Sequence, residues 1–191
     1  MKKTKHILFA TGLSVLLTCP SLQANEFNFH LGLGYSSSGS DVTDFYESNF
    51  ASKSDSLLDG LGGSLRISYR LDNRVRIDFG TGNIFYLKGD LTYIVAPLNI
   101  TAGYDFPISN QLNVYTRAGL VYKFYSSGNN DVGYQKEQNT GFIIAAGAEY
   151  RSFFMELSAN TAKSDLSVSN GAFTRSTSIN GGINFTIGTF F

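Results

Sequence analysis

Six charged residues could do acid–base chemistry if folding gathers them: Arg66, Arg76, Asp78, Arg117, Glu149 and Glu156. Two facing carboxylates raise each other's proton affinity unless a cation stands between them. Glu149 and Glu156 therefore read either as a general acid and base pair or as part of a buried ion-pair network. The network is the preferred reading, because charges removed from water need partners. Arg117 is its expected intermediary, with Arg66 and Arg76 as further cations. If Ser152 and Phe153 form a two-residue turn, Glu149 faces Glu156 and Arg151 faces Phe154. His30 follows the N-terminal segment as the last of the two histidines. Spacing gives it no serine partner, so it reads as a packed residue rather than the base of a nucleophile. No set of His, Cys or carboxylates has metal-ligand spacing, and no cofactor is expected. Gly60-Leu61-Gly62-Gly63 belongs to a strand rather than to a phosphate loop.

The elements that carry these residues are set by a period of two. Phe27, Phe29, Leu31, Leu33 and Tyr35 alternate with Asn28, His30, Gly32 and Gly34. Successive side chains of a strand point to opposite faces, so this text describes two faces with different solvents. The same rhythm predicts eight strands. The first is Phe27 to Tyr35, the second about Leu61 to Leu71, and the third carries Val75, Ile77 and Phe79 outward. A short connection near Leu87 to Asp90 leads to the fourth, Leu91 to Tyr104, where Pro97 predicts a bulge because it has no N–H to donate. The fifth is about Leu112 to Phe124. The sixth sets Phe142, Ile144, Ala146, Ala148 and Tyr150 outward, Arg151-Ser152 starts a tight turn, and the seventh sets Phe153, Met155, Leu157 and Ala159 outward. The eighth places Ile179, Ile183, Phe185, Ile187 and Phe191 outward, after a polar stretch from Lys163 to Arg175.

Arg66, Arg70, Arg76, Asp78, Asp105, Arg117, Lys123, Glu149, Arg151 and Glu156 all fall on the opposite, inner face. Apolar residues outside and charges inside suit a bilayer, where only helices and closed barrels satisfy the backbone. Ile7 to Leu17 is too short to span as a helix. The fold class is thus all-β, an eight-stranded antiparallel up-and-down transmembrane β-barrel. Longer polar loops alternate with short turns, which puts the turns and both termini in the periplasm. Aromatic residues gather at the expected interfaces: Phe27, Tyr69, Tyr104, Tyr150, Phe153 and Phe191 at one end, Tyr35, Tyr122, Phe124 and Phe142 at the other. A soluble barrel of lipocalin type would also alternate, but with its apolar face inward.

The segment 1–24 reads as a signal peptide, with Lys2, Lys3 and Lys5 before the apolar run and Leu22-Gln23-Ala24 as the cleavage site. A lipoprotein signal ending at Cys19 is the weaker alternative. Removal of 24 of the 191 residues leaves 167 in one domain, 25–191, without cysteine. Lys and Arg equal Asp and Glu at fifteen each, but three of the basic residues leave with the signal, so the remainder carries a net charge of −3. There is no basic tract to hold nucleic acid.

Near the C-terminus, Asn180-Gly181-Gly182-Ile183-Asn184-Phe185-Thr186-Ile187 and the terminal Phe191 match the signal read by the barrel-insertion machinery. With these residues the chain resembles the small OmpA/OmpX-like outer-membrane barrels, including attachment and opacity proteins. The resemblance implies Asn180, Gly182, Phe185, Ile187 and Phe191 as the assembly signal, a Gram-negative outer-membrane location, and partnership with membrane lipid and the assembly machinery. The resemblance is to the barrel alone, without the peptidoglycan-binding domain of full-length OmpA-type proteins, so no tether to the cell wall is expected. The leading expectation is a non-enzymatic envelope protein, structural or adhesive. A lipid-modifying enzyme and a narrow pore or small-ligand conduit are the alternatives. Loop 36–59, net −4, offers Phe45, Tyr46 and Phe50 either as a contact for a host or envelope partner or, the slightly preferred reading, as a cover packed over the barrel mouth.

Overall fold

The computed structural model describes residues 24–38, 41, 60–71, 74–82, 84–87, 93–127, 139–169 and 174–191. Residues 1–23 of the expected signal peptide and all but four positions of loop 36–59 lie outside them. The described strands are β1 (Ala24–Ser36), β2 (Leu61–Leu71), β3 (Val75–Thr81), β4 (Ile84–Leu87), β5 (Tyr93–Pro107), β6 (Leu112–Ser127), β7 (Thr140–Tyr150), β8 (Phe153–Asn160), β9 (Ser164–Ser169), β10 (Thr174–Ile179) and β11 (Ile183–Phe190). β1 pairs with both β2 and β11, so the antiparallel sheet closes on itself and has no free edge. β3 and β4 are two pieces of one stave between β2 and β5, which makes eight staves. β9 and β10 pair with each other and carry the β8–β11 hairpin onward. Closure is what makes this chain compatible with hydrocarbon, because every ladder N–H and C=O finds a partner around the ring.

Alternation then sorts the side chains. In β8, Phe153, Met155 and Leu157 are exposed while Phe154, Glu156 and Ser158 are buried. In β1, Phe27, Phe29, Leu31, Leu33 and Tyr35 are exposed while Asn28 and His30 are buried. Every charged stave residue whose side chain is described is buried or half-buried. An outward apolar surface with inward charges is the reverse of a soluble barrel and fits lipid outside. Aromatic rings pair at both rims: Phe27 with Tyr69 at 4.6 Å and Tyr104 with Phe106 at 5.0 Å at the end of the short turns, Tyr122 with Phe124 at 5.3 Å toward the other.

Pro97 does not bulge its own strand. The β5–β6 register runs unbroken from Ala96↔Phe124 through Pro97↔Lys123 to Leu98↔Tyr122. The Pro97 carbonyl accepts from Gly82 N at 2.6 Å, so its missing N–H also faces the β3/β4 stave, and the irregularity is displaced there. The register changes by one residue between Thr81↔Leu98 and Phe85↔Val95. Thr81 covers part of the break with its side chain, whose Oγ1 accepts from Leu65 N at 3.0 Å. The expected connection at Leu87 correspondingly begins later, since 84–87 is strand.

Three further expectations change. Ile179 is buried rather than lipid-facing, because Asn180-Gly181-Gly182 interrupts the stave and the registers on either side, Ile183↔Ala159 and Ile179↔Ser164, differ by one residue. Gly181 is required there: a Cβ would lie 1.8 Å from the Asn160 carbonyl oxygen. The β7–β8 turn is Arg151-Ser152, where the strand reading starts it, and the Ser152-Phe153 turn that would set Glu149 against Glu156 is not formed, since Tyr150 pairs with Phe153. Arg151 accordingly lies exposed in the turn with φ 55° instead of facing the lumen. The polar stretch from Lys163 holds the β9–β10 hairpin.

The lipid-facing reading has a direct thermodynamic consequence. Ile100→Arg, on the exposed face of central β5, should lose about 2–4 kcal/mol of stability if it sits near the bilayer midplane. Ser158→Ala, inside, should lose far less. Urea unfolding of the vesicle-inserted protein measures both, and equal losses count against a lipid-exposed Ile100.

Candidate functional site

The charged lumen is built in two tiers by neighbouring staves. In the tier nearer the short turns, Arg70 of β2, Arg76 and Asp78 of β3, Asp105 of β5 and Glu149 of β7 meet. Arg76 donates to Asp78 Oδ1, Asp105 Oδ1 and Glu149 Oε1, each at 3.1 Å. Arg70 donates to Asp105 Oδ2 at 2.6 Å and also to Glu149 Oε2. Arg70 and Arg76 are cross-strand neighbours. Their repulsion is relieved because both carboxylates bridge them, which is how like charges can share one rung.

The second tier centres on Glu156. Arg117 reaches it through Nε at 2.9 Å and Nη2 at 2.6 Å, a two-pronged pairing that fixes both groups. Arg66 donates to the same carboxylate and to the Tyr115 hydroxyl at 3.2 Å, and Tyr115 donates onward to Glu156 at 2.9 Å. The Tyr115 ring lies between the tiers, with the Arg76 guanidinium 4.2 Å and the Arg66 guanidinium 5.3 Å from its centroid. Both cations gain from the ring face while it keeps them apart. Gly147, the β7 residue opposite Tyr115, makes room for this: a Cβ there would stand 2.4 Å from the phenol.

Glu149 and Glu156 therefore do not face each other. Glu149 pairs with Phe154 and Glu156 with Gly147, so the carboxylates sit at different heights with separate arginine partners. Arg117 serves Glu156, Arg76 serves Glu149, and no single cation intervenes. The four carboxylates are matched by Arg66, Arg70, Arg76 and Arg117. The remaining space beside His30, Arg66, Arg117 and Glu156 is about 30 Å³, room for about one or two waters.

His30 has a serine partner that spacing did not show. Its Nε2–H donates to Glu149 Oε1 at 3.1 Å and its Nδ1 accepts from the Ser68 hydroxyl at 3.4 Å. Ser68, His30 and Glu149 thus have the connectivity of a hydrolytic triad. Ser68 is 0% exposed and its oxygen also accepts from Arg76 Nη2 at 2.8 Å, so it is held as a structural acceptor. In the β1–β2 register His30 pairs with Arg66 and Ser68 with Asn28, so their contact is a diagonal one, and the third member comes 119 residues later and only ring closure brings it in. Sequence reasoning also missed a small apolar cluster buried in the lumen beyond Glu156, formed by Val121, Ile143 and Ala162. In the C-terminal segment, Asn180 is exposed at the stave break, and Phe185, Ile187 and Phe191 point outward.

Removing Glu156 leaves two buried arginines without a counter-charge, so Glu156→Ala should cost about 3–5 kcal/mol in vesicle unfolding experiments. Replacing the group together, by Glu156→Leu, Arg66→Met and Arg117→Met, should recover most of that loss. Failure to recover would show that the cost comes from packing rather than from unpaired charge.

The family model described as the outer membrane protein beta-barrel domain matches residues 9–173. Among solved structures, OprG from Pseudomonas aeruginosa is similar at 15% identity, with 86% of this chain and 95% of that chain covered and a TM-score of 0.58. Neisserial surface protein A matches at 16% identity, 86% and 94% coverage and a TM-score of 0.47. Ail, the attachment invasion locus protein of Yersinia pestis, matches at 14% identity, 86% and 96% coverage and a TM-score of 0.39. No curated protein matches in sequence. At such identity the OprG likeness concerns fold alone, and the family rests on the matching model, which spans most of the sequence. The chain belongs to the outer membrane protein β-barrel domain family.

Proposed function

We propose that this protein is a non-enzymatic resident of the Gram-negative outer membrane, exported by its N-terminal signal, with a rigid barrel that supports surface-exposed loops. The observation that carries the reading is the lumen, where Arg66, Arg70, Arg76 and Arg117 are paired with Asp78, Asp105, Glu149 and Glu156 and the space beside Arg117 and Glu156 is about 30 Å³. Eight staves enclose a bore that side chains fill, so the scaffold is suited to stiffness rather than to bulk transport. Function is then carried where the chain is free to vary, on the outer loops. The acidic loop 36–59, with Phe45, Tyr46 and Phe50, is the proposed contact for a host or envelope partner. Lipid contacts the outward aliphatic and aromatic residues, and Asn180, Gly182, Phe185, Ile187 and Phe191 serve as the signal for the assembly machinery.

A lipid hydrolase is the second reading, favoured by the Ser68–His30–Glu149 contacts. It requires a nucleophile that lipid can reach, and a fully buried hydroxyl held by Arg76 lacks that access.

Three outcomes are expected. In planar bilayers the wild-type protein gives no steady single-channel current, and the combined Arg66→Ala, Arg117→Ala and Glu156→Ala variant gains one; steady current from the wild type removes the structural reading in favour of a conduit. His30→Ala and Ser68→Ala leave lipid A and phospholipid turnover in cells unchanged, whereas loss of an acyl-transfer or deacylation product in either variant establishes the enzyme. Deleting residues 42–57 abolishes adhesion of expressing cells while heat-modifiable migration on gels persists; undiminished adhesion excludes that loop.

A further inference from the structure

The end of the barrel that carries the short turns contains a second feature, distinct from the paired lumen. A cavity of about 400 Å³ opens there, with Arg70, Arg74, Arg151, Asn113 and Gln111 among its walls and Asp105 and Glu149 at its inner side. That volume falls in the range of small-molecule pockets. Its two carboxylates are already satisfied by Arg70 and Arg76. Arg74 and Arg151 are the surplus. Both are exposed, and neither has a carboxylate partner among the described residues; Arg151 donates to Gln111 Oε1 at 3.2 Å and lies over the Tyr150 ring. Asn113 adds a buried Oδ1 that no described group satisfies.

Backbone conformation singles out the same two arginines. Arg74 has φ 68° and Arg151 φ 55°, and among the described residues they are the only non-glycine residues in the left-handed region. Glycine or asparagine holds that conformation with less strain, so turn geometry by itself does not call for arginine at either position. Strained residues that converge on one cavity point to a role for their side chains. Guanidinium groups offer planar pairs of donors that match the oxygens of a phosphate or carboxylate.

We propose that this periplasm-facing cavity binds an oxyanion, a phosphate or carboxylate carried by a small solute or a phospholipid headgroup, through the forks of Arg74 and Arg151. Arg70 and Arg76 keep the inner carboxylates neutralised, and among the described lining residues Arg74 and Arg151 add positive charge. Asn113 Oδ1 is placed to accept from a hydroxyl or ammonium on the same ligand.

The test uses the full processed chain, refolded into nanodiscs of zwitterionic lipid, with inorganic phosphate, glycerol 3-phosphate and acetate titrated while the arginine side-chain NMR signals are followed. Saturable shifts at Arg74 and Arg151, with Arg66 and Arg117 unmoved, are expected. Arg74→Gly with Arg151→Gly should weaken binding at least tenfold while thermal stability holds or rises, because glycine relieves the turns. Arg→Lys at both positions keeps the charge without the fork and should fall between. Repeating the titration in nanodiscs containing phosphatidylglycerol separates the sources: competition assigns a lipid headgroup, and unchanged affinity assigns a soluble anion. Absence of saturable shifts in either lipid, or affinity that survives the double glycine variant, overturns the proposal.

Discussion

An amide that faces hydrocarbon must find its hydrogen-bond partner within the protein, and this requirement governs the rest of the molecule. It is met here because β1 pairs on one side with β2 and on the other with β11, turning a sheet into a ring. Once the ring closes, each residue has only two directions available, toward lipid or toward the lumen. The charged side chains described on the staves are committed to the lumen, where eight staves leave little room for water. The ion-pair tiers are therefore a consequence of closure as much as a device of their own.

Those tiers tie distant parts of the chain together. Glu149 on β7 contacts Arg70 of β2, Arg76 of β3 and His30 of β1, while Glu156 on β8 joins Arg66 of β2 to Arg117 of β6. Cross-links of this kind run through the bore at right angles to the hydrogen-bond ladder and hold opposite walls at fixed separation. Buried pairs of this sort contribute little net stability compared with apolar packing, but they strongly penalise any arrangement that separates the partners. A barrel so braced suits a protein whose task is to present loops from a fixed base.

The outward faces were legible in the sequence because a period of two depends only on neighbouring residues. Leu65, Ile67 and Phe79 outside, with Arg66, Ser68 and Asp78 inside, follow from local text alone. The phase at a turn is another matter. Whether Arg151-Ser152 or Ser152-Phe153 closes the β7–β8 hairpin changes which residue opposes Glu149; Tyr150 and Phe153, both outward, favour the first, whereas setting Glu149 against Glu156 needs the second. Pro97 announced an irregularity correctly but not its location, since the missing donor acts on the strand it faces rather than its own. Ile179 was misassigned for a related reason: the break at Gly181-Gly182 resets the alternation. The Ser68–His30–Glu149 contacts and the matching of particular arginines to particular carboxylates arise from closure and register between remote strands, which a linear reading does not contain. The meeting of Arg74 and Arg151 at one cavity likewise emerges only when separate turns are brought around one opening.

Hydrogen exchange of the arginine Nε–H groups, followed by NMR after transfer of the bilayer-embedded protein into heavy water, tests the sealed lumen most directly. Arg117 and Arg76, whose Nε–H groups are bonded to Glu156 and Asp78, should retain signal for hours while Arg74 and Arg151 lose theirs at once. Equally fast loss from all four would mean that water moves freely through the bore and that the pairing does not close it.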